Sequence, residues 1–441
     1  MVALRLSSAA LFLGLLVTTL ASPPSEIKPA FPNGHWVDTW AAMPQLTEST
    51  NLPLPPFNGT NVVFQNSTIR QTLHMSVGGS QIRLRFSNAF GVTNLPITAV
   101  TVALPVNGSA GVSAIQSKTL QTVTFSGNTS IIIPNAGLAV SDPLDFPIEP
   151  QSMVTVTMFL ANGQTTNMIT SHPGSRTTSW FVNGNEVSAT NLTITNPNVQ
   201  SAAHWFFVSA VEVWSPPTTV AWGIVGDSIT DGRGSDTDAN NRWPDLVLRR
   251  MQQNTTTKNI AMFNQAAGGN RILADGLGPA AVGRIERDII AQSGVRFTMI
   301  FEGVNDIGTA PTDPTSQQVV GDRLIQAFKQ IVVRVHELGI PIFAATITPF
   351  GAPNSAIQPY SNPEREKTRQ RINDFIKTSG WFDHVIDFDA IVRDPSNPTQ
   401  LNPEFNSGDF LHPNVAGYTA IANAFPLEIF ETFKNGVSSF Q

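Results

Sequence analysis

The chain has 441 residues, of which 41% are hydrophobic and only 13% charged, with a formal net charge of −6 and no cysteine. That length accommodates two domains, each able to bury a core. A balance this acidic lacks the basic surface that collects phosphate backbones, which argues against a nucleic-acid partner, and the missing cysteines exclude disulfides, zinc–thiolate sites and cysteine nucleophiles.

At the N-terminus, Arg5 precedes an apolar stretch over residues 9–20, and Ala21 supplies a small residue where a signal peptidase cuts. Residues 1–21 therefore read as a signal peptide, with the mature chain starting near Ser22. No later run reaches the roughly 18 apolar residues of a membrane-spanning helix, and the C-terminus lacks the apolar tail of a glycolipid anchor. The expectation is a secreted, extracellular protein. Six Asn-x-Ser/Thr sequons, at Asn58, Asn66, Asn107, Asn128, Asn191 and Asn254, predict N-glycans.

From about residue 30 to 214 the chain is rich in Thr, Ser, Val, Asn and Gly. Stretches such as QIRLRF (81–86) and MVTVTM (153–158) alternate in polarity, which argues half-buried antiparallel strands. Residues 22–215 are thus expected to form a β-sandwich or jelly-roll-like accessory domain. After Pro216 and Pro217 the pattern changes to short apolar runs separated by helical spacing. Strands are expected at 220–226, 260–264, 297–301, 341–347 and 384–388. Val320, Leu324, Phe328, Ile331, Val335 and Leu338 predict a helix near 315–338. Residues 216–441 therefore read as an α/β domain built on a doubly wound parallel sheet.

In such sheets the site lies at the carboxyl ends of the strands. The loop after the first strand holds Gly226, Asp227 and Ser228; after the second come Gly268, Gly269 and Asn270; after the third, Glu302, Asn305 and Asp306. Past the last strand stand Asp409 and His412. A serine nucleophile needs a base, a carboxylate behind it and donors for the oxyanion. Ser228, His412 and Asp409 supply the nucleophile, the base and the carboxylate, with Asp409 three residues before the histidine it would orient. The Ser228 amide at a helix start, a glycine amide at Gly269 and the Asn305 carboxamide would form the oxyanion cradle.

The blocks GDSI (226–229), GGN (268–270), GVND (303–306) and DFLH (409–412), in this order, resemble those of the SGNH or GDSL hydrolases. Trp243, Pro244 and Asp245, together with WVDTWAAMPQ (36–45) and the stretch 69–91, resemble a secreted GDSL-like lipase/acylhydrolase branch with a preceding β-rich domain. The resemblance implies a three-layer α/β/α, flavodoxin-like fold, a triad of Ser228, Asp409 and His412, and an oxyanion hole from Ser228, a second-block glycine and Asn305. Ile229 replaces the leucine of the GDSL name. Two adjacent glycines leave the second-block donor open between Gly268 and Gly269, with spacing from Asn264 favouring Gly269.

Taken singly, Ser228 or Asp227 would be a helix cap, Gly268 and Gly269 a tight bend, and Asp306 a turn carboxylate. The ordered set has no shared local reason to co-occur, which favours chemistry. Glu302 and Arg271 are candidates for binding substrate or for pairing with each other. His172, in the loop SHPGSRTTSW (171–180), is a further candidate to reach the site from the first domain. Metal-ligand spacing, a Gly-x-Ser-x-Gly elbow and a dinucleotide fingerprint are missing, so no cofactor is expected. The expected function is a secreted serine esterase acting on a small-molecule, lipid or polysaccharide ester. Two other readings are a carbohydrate-binding module with an inactive hydrolase half, and acyl transfer by the same triad.

Overall fold

The computed structural model describes residues 27–195 and 198–440; the predicted signal peptide, residues 1–21, lies outside them. In strand Ile82–Ser87 the apolar Ile82, Leu84 and Phe86 are buried while Arg83 and Arg85 are half-buried on the opposite face, as the two-residue period of a pleated strand requires. This strand belongs to an antiparallel sheet ordered His35–Ala41, Val208–Ser215, Ile82–Ser87, Leu138–Val140. A six-stranded antiparallel sheet runs Gln200–Ala202, Ser179–Asn183, Ser67–His74, Met153–Leu160, Ala99–Ala103, Gln121–Thr122. Leu84, Phe86 and Val211 of the first sheet share one buried cluster with Ile69, Val100 and Val156 of the second. The N-terminal region is therefore a β-sandwich.

Strand Met153–Leu160 departs from the half-buried expectation, since all eight residues are buried. It lies inside the six-stranded sheet, and loops cover its polar face. The buried Arg70 on the neighbouring strand donates to Thr157 Oγ1 at 2.9 Å and to the Ser113 and Ala189 carbonyls at 2.7 Å each. Threonines placed for solvent by their alternation thus become the lining of a polar core.

Beyond Pro216 and Pro217 the strands pair in parallel. Across the sheet the order is Ile260–Ala266, Val220–Gly226, Val295–Phe301, Ile342–Ala345, His384–Ile386. Numbered along the chain this is 2-1-3-4-5, the flavodoxin-like winding, whose switch point lies between the first and third strands. One face buries Trp222, Ile224 and Met299 against helices Trp243–Gln253 and Val415–Ala424. The other buries Val225, Phe263 and Ile300 with helices Pro314–His336 and Pro363–Thr378. The result is three layers, α/β/α.

Helix Pro314–His336 shows how the local sequence sets its limits. Asp313 caps it by accepting from the Ser316 amide at 2.9 Å, and Pro314 opens the first turn. Leu324, Phe328, Ile331 and Val335 face the core as their spacing predicts. Leu338 does not: the helix ends at His336, Gly339 takes a left-handed φ of +68°, and Leu338 is exposed.

The two halves are pinned by direct bonds. The Asp38 amide donates to the Ser293 carbonyl at 3.0 Å, the Ser293 amide donates back to Asp38 Oδ2 at 2.9 Å, and the Met262 amide donates to Ser76 Oγ at 3.0 Å. Val37 and Val213 of the sandwich share their cluster with Val225 and Phe263 of the parallel sheet. The cores of the two halves are continuous, and that contact brings sandwich loops to the strand ends. No helix among the described residues is long and apolar enough to cross a membrane.

Candidate active site

Strand Val220–Gly226 ends where Gly226 pairs in register with Ala266 and Phe301, so three strands finish level. A side chain at Gly226 would place its Cβ 2.6 Å from Thr230 Cβ, so the tight turn that follows needs glycine. Asp227 is the cap of that turn: its Oδ1 accepts from the Ile229 amide at 2.9 Å. Ser228 is thereby left as the first helical residue, with its hydroxyl free to point elsewhere. Ser228 Oγ lies 2.7 Å from His412 Nε2.

His412 Nδ1 lies 2.6 Å from Asp409 Oδ2, and Asp409 Oδ1 accepts from the His412 and Leu411 amides at 2.9 and 3.0 Å. A carboxylate with that many donors stays ionised, and His412 and these amides hold its pKa well below the usual range against a burial effect that opposes them. With Nδ1–H donating to the carboxylate, Nε2 is the acceptor for the serine proton. Burial lowers the His412 pKa; Asp409 opposes this, while Arg233 and Arg176 add to it. Burial thus favours the neutral imidazole, the form that can accept a proton.

Across the cleft, the Ala267 carbonyl accepts from the Asn270 amide at 3.2 Å, closing a turn with Gly268 and Gly269 at its centre. Gly269 has φ +68°, and a Cβ there would sit 2.7 Å from Leu277 Cδ1. Neither central amide donates to a protein group among the described residues. Asn305 Nδ2 donates to the Asn270 carbonyl at 2.9 Å, and its Oδ1 accepts from the Tyr360 hydroxyl at 3.0 Å. The amide is thus oriented from both ends, with its second N–H unassigned. The helix at Ser228 is one turn, Ser228–Asp231, too short for the macrodipole to matter; individual N–H groups must do the work.

Ser228, Gly269, Asn305, Asp409 and His412 all line one cleft of about 630 Å³. Glu302 does not line it: it is 1% exposed, its Oε1 lies 3.4 Å from Arg284, and burial pushes its pKa up to about 8. Arg271 instead donates to the Asp275 carbonyl, so Glu302 and Arg271 form no pair. His172 stops one residue short of the cleft. Its Nε2 lies 2.9 Å from Asp231 Oδ1 and its Nδ1 3.0 Å from the Met43 carbonyl, in the joint between the halves, while Asp231 itself reaches the cleft. Asp306 is more than a turn residue, because it accepts from the Ile272 and Leu273 amides at 2.9 Å each and so anchors the second-block loop. Among the described residues no three His, Asp or Glu are grouped as a metal ion would need.

Six contributors escape the sequence reading. Tyr360 and Gln358, whose Nε2 donates to the Asp409 carbonyl at 2.7 Å, sit in the long segment after the fourth strand. The strand-end rule points to that segment, but no motif marks it. Arg284, 1% exposed, ties the first two loops together by donating to the Gln265 carbonyl at 2.6 Å and to Asn270 Oδ1 at 2.8 Å, with its Nη2 3.5 Å from the Gly226 carbonyl. From the sandwich, Glu48, Asn51 and Arg176 complete the cleft wall.

Residues 223–425 match the family model for GDSL-like lipase/acylhydrolase. No curated protein matches the chain. Similar solved structures include a GDSL-like lipase from Bacteroides thetaiotaomicron, at 15% identity over 49% of this chain and 88% of that one, with a TM-score of 0.34. A family two carbohydrate esterase from Clostridium thermocellum is similar at 14% identity over 82% of this chain and 95% of that one, TM-score 0.35. An acetylxylan esterase from Geobacillus stearothermophilus is similar at 21% identity over 47% and 92%, TM-score 0.35. Residues 223–425 are a GDSL-like lipase/acylhydrolase domain.

Proposed function

We propose that the protein is a secreted serine esterase that hydrolyses carboxylic esters through an acyl-enzyme on Ser228. The observation that carries the reading is the unbroken chain from Ser228 Oγ to His412 Nε2 at 2.7 Å and from His412 Nδ1 to Asp409 Oδ2 at 2.6 Å. Ser228 Oγ attacks the ester carbonyl carbon as His412 Nε2 takes its proton. The oxyanion meets the amides of Ser228 and Gly269 and the Asn305 carboxamide. Collapse expels the alkoxide, which takes the proton back from His412. Water then attacks the acyl carbon by the same route, returning the acid and free Ser228.

A cleft wall of Gln45, Glu48, Thr50 and Asn51 beside the nucleophile favours a polar small ester or a polysaccharide ester over a long acyl chain. It also gives the sandwich a part in the site. Exposed apolar side chains on the sandwich strands are aliphatic, Leu46, Ile132, Leu138 and Val140 among them, so a flat aromatic platform for an independent sugar-binding role finds no support among the described residues. Secretion rests on the N-terminal apolar segment alone, and the exposed Asn66, Asn107 and Asn128 are the sequons best placed to carry glycans.

Hydrolysis of p-nitrophenyl acetate tests the reaction. The expected result is turnover with a burst when deacylation is the slower step, and loss of both in Ser228→Ala. Equal turnover by the variant would overturn the assignment.

A further inference from the structure

Two arginines line the nucleophile's cleft. Arg176, from the sandwich, and Arg233, just past the nucleophile turn, both line the cavity that holds Ser228 and His412. Among the described residues neither side chain donates a hydrogen bond to a protein group. Arg176 Nε is buried and unpartnered, and the nearest carboxylate to Arg233 is Asp409 Oδ2 at 3.9 Å. Asp409 is already committed to His412 and two amides.

Of the other cleft carboxylates, Glu48 accepts from Gln45 Nε2 at 2.7 Å and Asn51 Nδ2 at 2.9 Å, and Asp231 meets His172 through Oδ1 while its buried Oδ2 has no protein partner. A guanidinium carries five donors in a planar fork suited to a carboxylate. Arg176 Nε, buried with no protein partner, is unfavourable unless a ligand uses it, whereas Arg233 is 62% exposed and brings a solvated charge to the cleft rim. Arg176 is moreover held in place by its backbone: its φ is +49°, its carbonyl accepts from the Asp238 amide at 2.9 Å, and its neighbours Ser175 and Thr177 are buried. A left-handed arginine persists only where surrounding contacts enforce it.

We propose that the cleft is specific for esters that bear a carboxylate, on either the acyl or the alcohol part, met by Arg176 and Arg233. This rests on the esterase reading and adds the substrate class to it. Glu48, Asp231 and Asp409 also line the cleft and repel an anion, so the two guanidinium groups are the positions where a substrate carboxylate is favoured.

The test compares matched ester pairs at low ionic strength. Mono-p-nitrophenyl adipate against p-nitrophenyl hexanoate puts the charge on the acyl part; p-carboxyphenyl butyrate against phenyl butyrate puts it on the alcohol part. In at least one pair the charged member should have the higher kcat/KM, by about tenfold to a hundredfold, the range expected of hydrogen bonds to a charged group. Sodium chloride should erode that preference in the wild type. Arg176→Gln should reduce the charged-to-neutral ratio about tenfold, and Arg176→Lys should restore part of it. Equal rates within both pairs, or a ratio untouched by Arg176→Gln, overturns the anion subsite while the neutral esters still report an esterase. Failure to cleave any of the four esters would instead strike the esterase reading, and the subsite with it.

Discussion

Replacing Tyr360 by phenylalanine removes one oxygen and leaves a ring that stays packed where Gly308 admits it: a Cβ on Gly308 would lie 2.2 Å from Tyr360 Cδ2. The hydroxyl lost is the donor to Asn305 Oδ1 at 3.0 Å. Burial, with Asp227 nearby, raises the phenol pKa, so Tyr360 is a neutral donor at any working pH. A neutral hydrogen bond contributes about 1 kcal/mol, and through the orientation of Asn305 this amounts to about fivefold in kcat. Asn305→Ala removes the proposed oxyanion donor itself and should cost about a hundredfold to a thousandfold in kcat. The two effects share one route, so they should not add. Measured on p-nitrophenyl acetate, Tyr360→Phe should slow the wild type and leave the Asn305→Ala variant unchanged. A full fivefold loss in both backgrounds would refute the claim that Tyr360 acts through Asn305.

Because burial lowers the His412 pKa, the acid limb of kcat/KM should have its midpoint below the ordinary imidazole value of about 6.5. The base is active when neutral, so a lowered pKa extends activity toward acid; a midpoint at or above that value contradicts this. Gly269→Val should lower both melting temperature and kcat, since φ +68° and Leu277 Cδ1 at 2.7 Å leave no room for a branched side chain; an undisturbed variant would argue against that turn. Glu302, pushed up to about 8 by burial, is protonated when folded at neutral pH, so its contribution to stability is present below its unfolded pKa near 4.5 and lost as pH rises toward 8. The melting temperature of wild type minus that of Glu302→Gln should therefore fall across this interval, and a difference that rises would reverse the sign.

Much of the parallel sheet was legible because its strands are short apolar runs. The expected 220–226 coincides with Val220–Gly226, and 260–264 needed only the continuation to Ala266. The sequence-stated site residues Ser228, Asp409, His412, Gly269 and Asn305 share one cleft because level strand ends force their loops together. Other features depend on what packs from outside the local pattern. Full burial of Met153–Leu160 requires loops distant in the chain, and no periodicity records them. Glu302 turned to Arg284, itself inside the helical turn Ala281–Ile285, so a neighbour in the chain gave no clue to its partner. In the loop 171–180 Arg176 reaches the cleft, with Pro173, while His172 packs into the joint behind Asp231. Alternation in that loop cannot separate the two; only the docking of the sandwich on the strand ends does.

Covalent trapping tests the central claim most directly. After incubation with a fluorophosphonate, intact mass and peptide mapping should find a single adduct on Ser228, absent from Ser228→Ala and strongly slowed in His412→Ala. An adduct on another residue, or equal labelling of wild type and Ser228→Ala, would contradict the account.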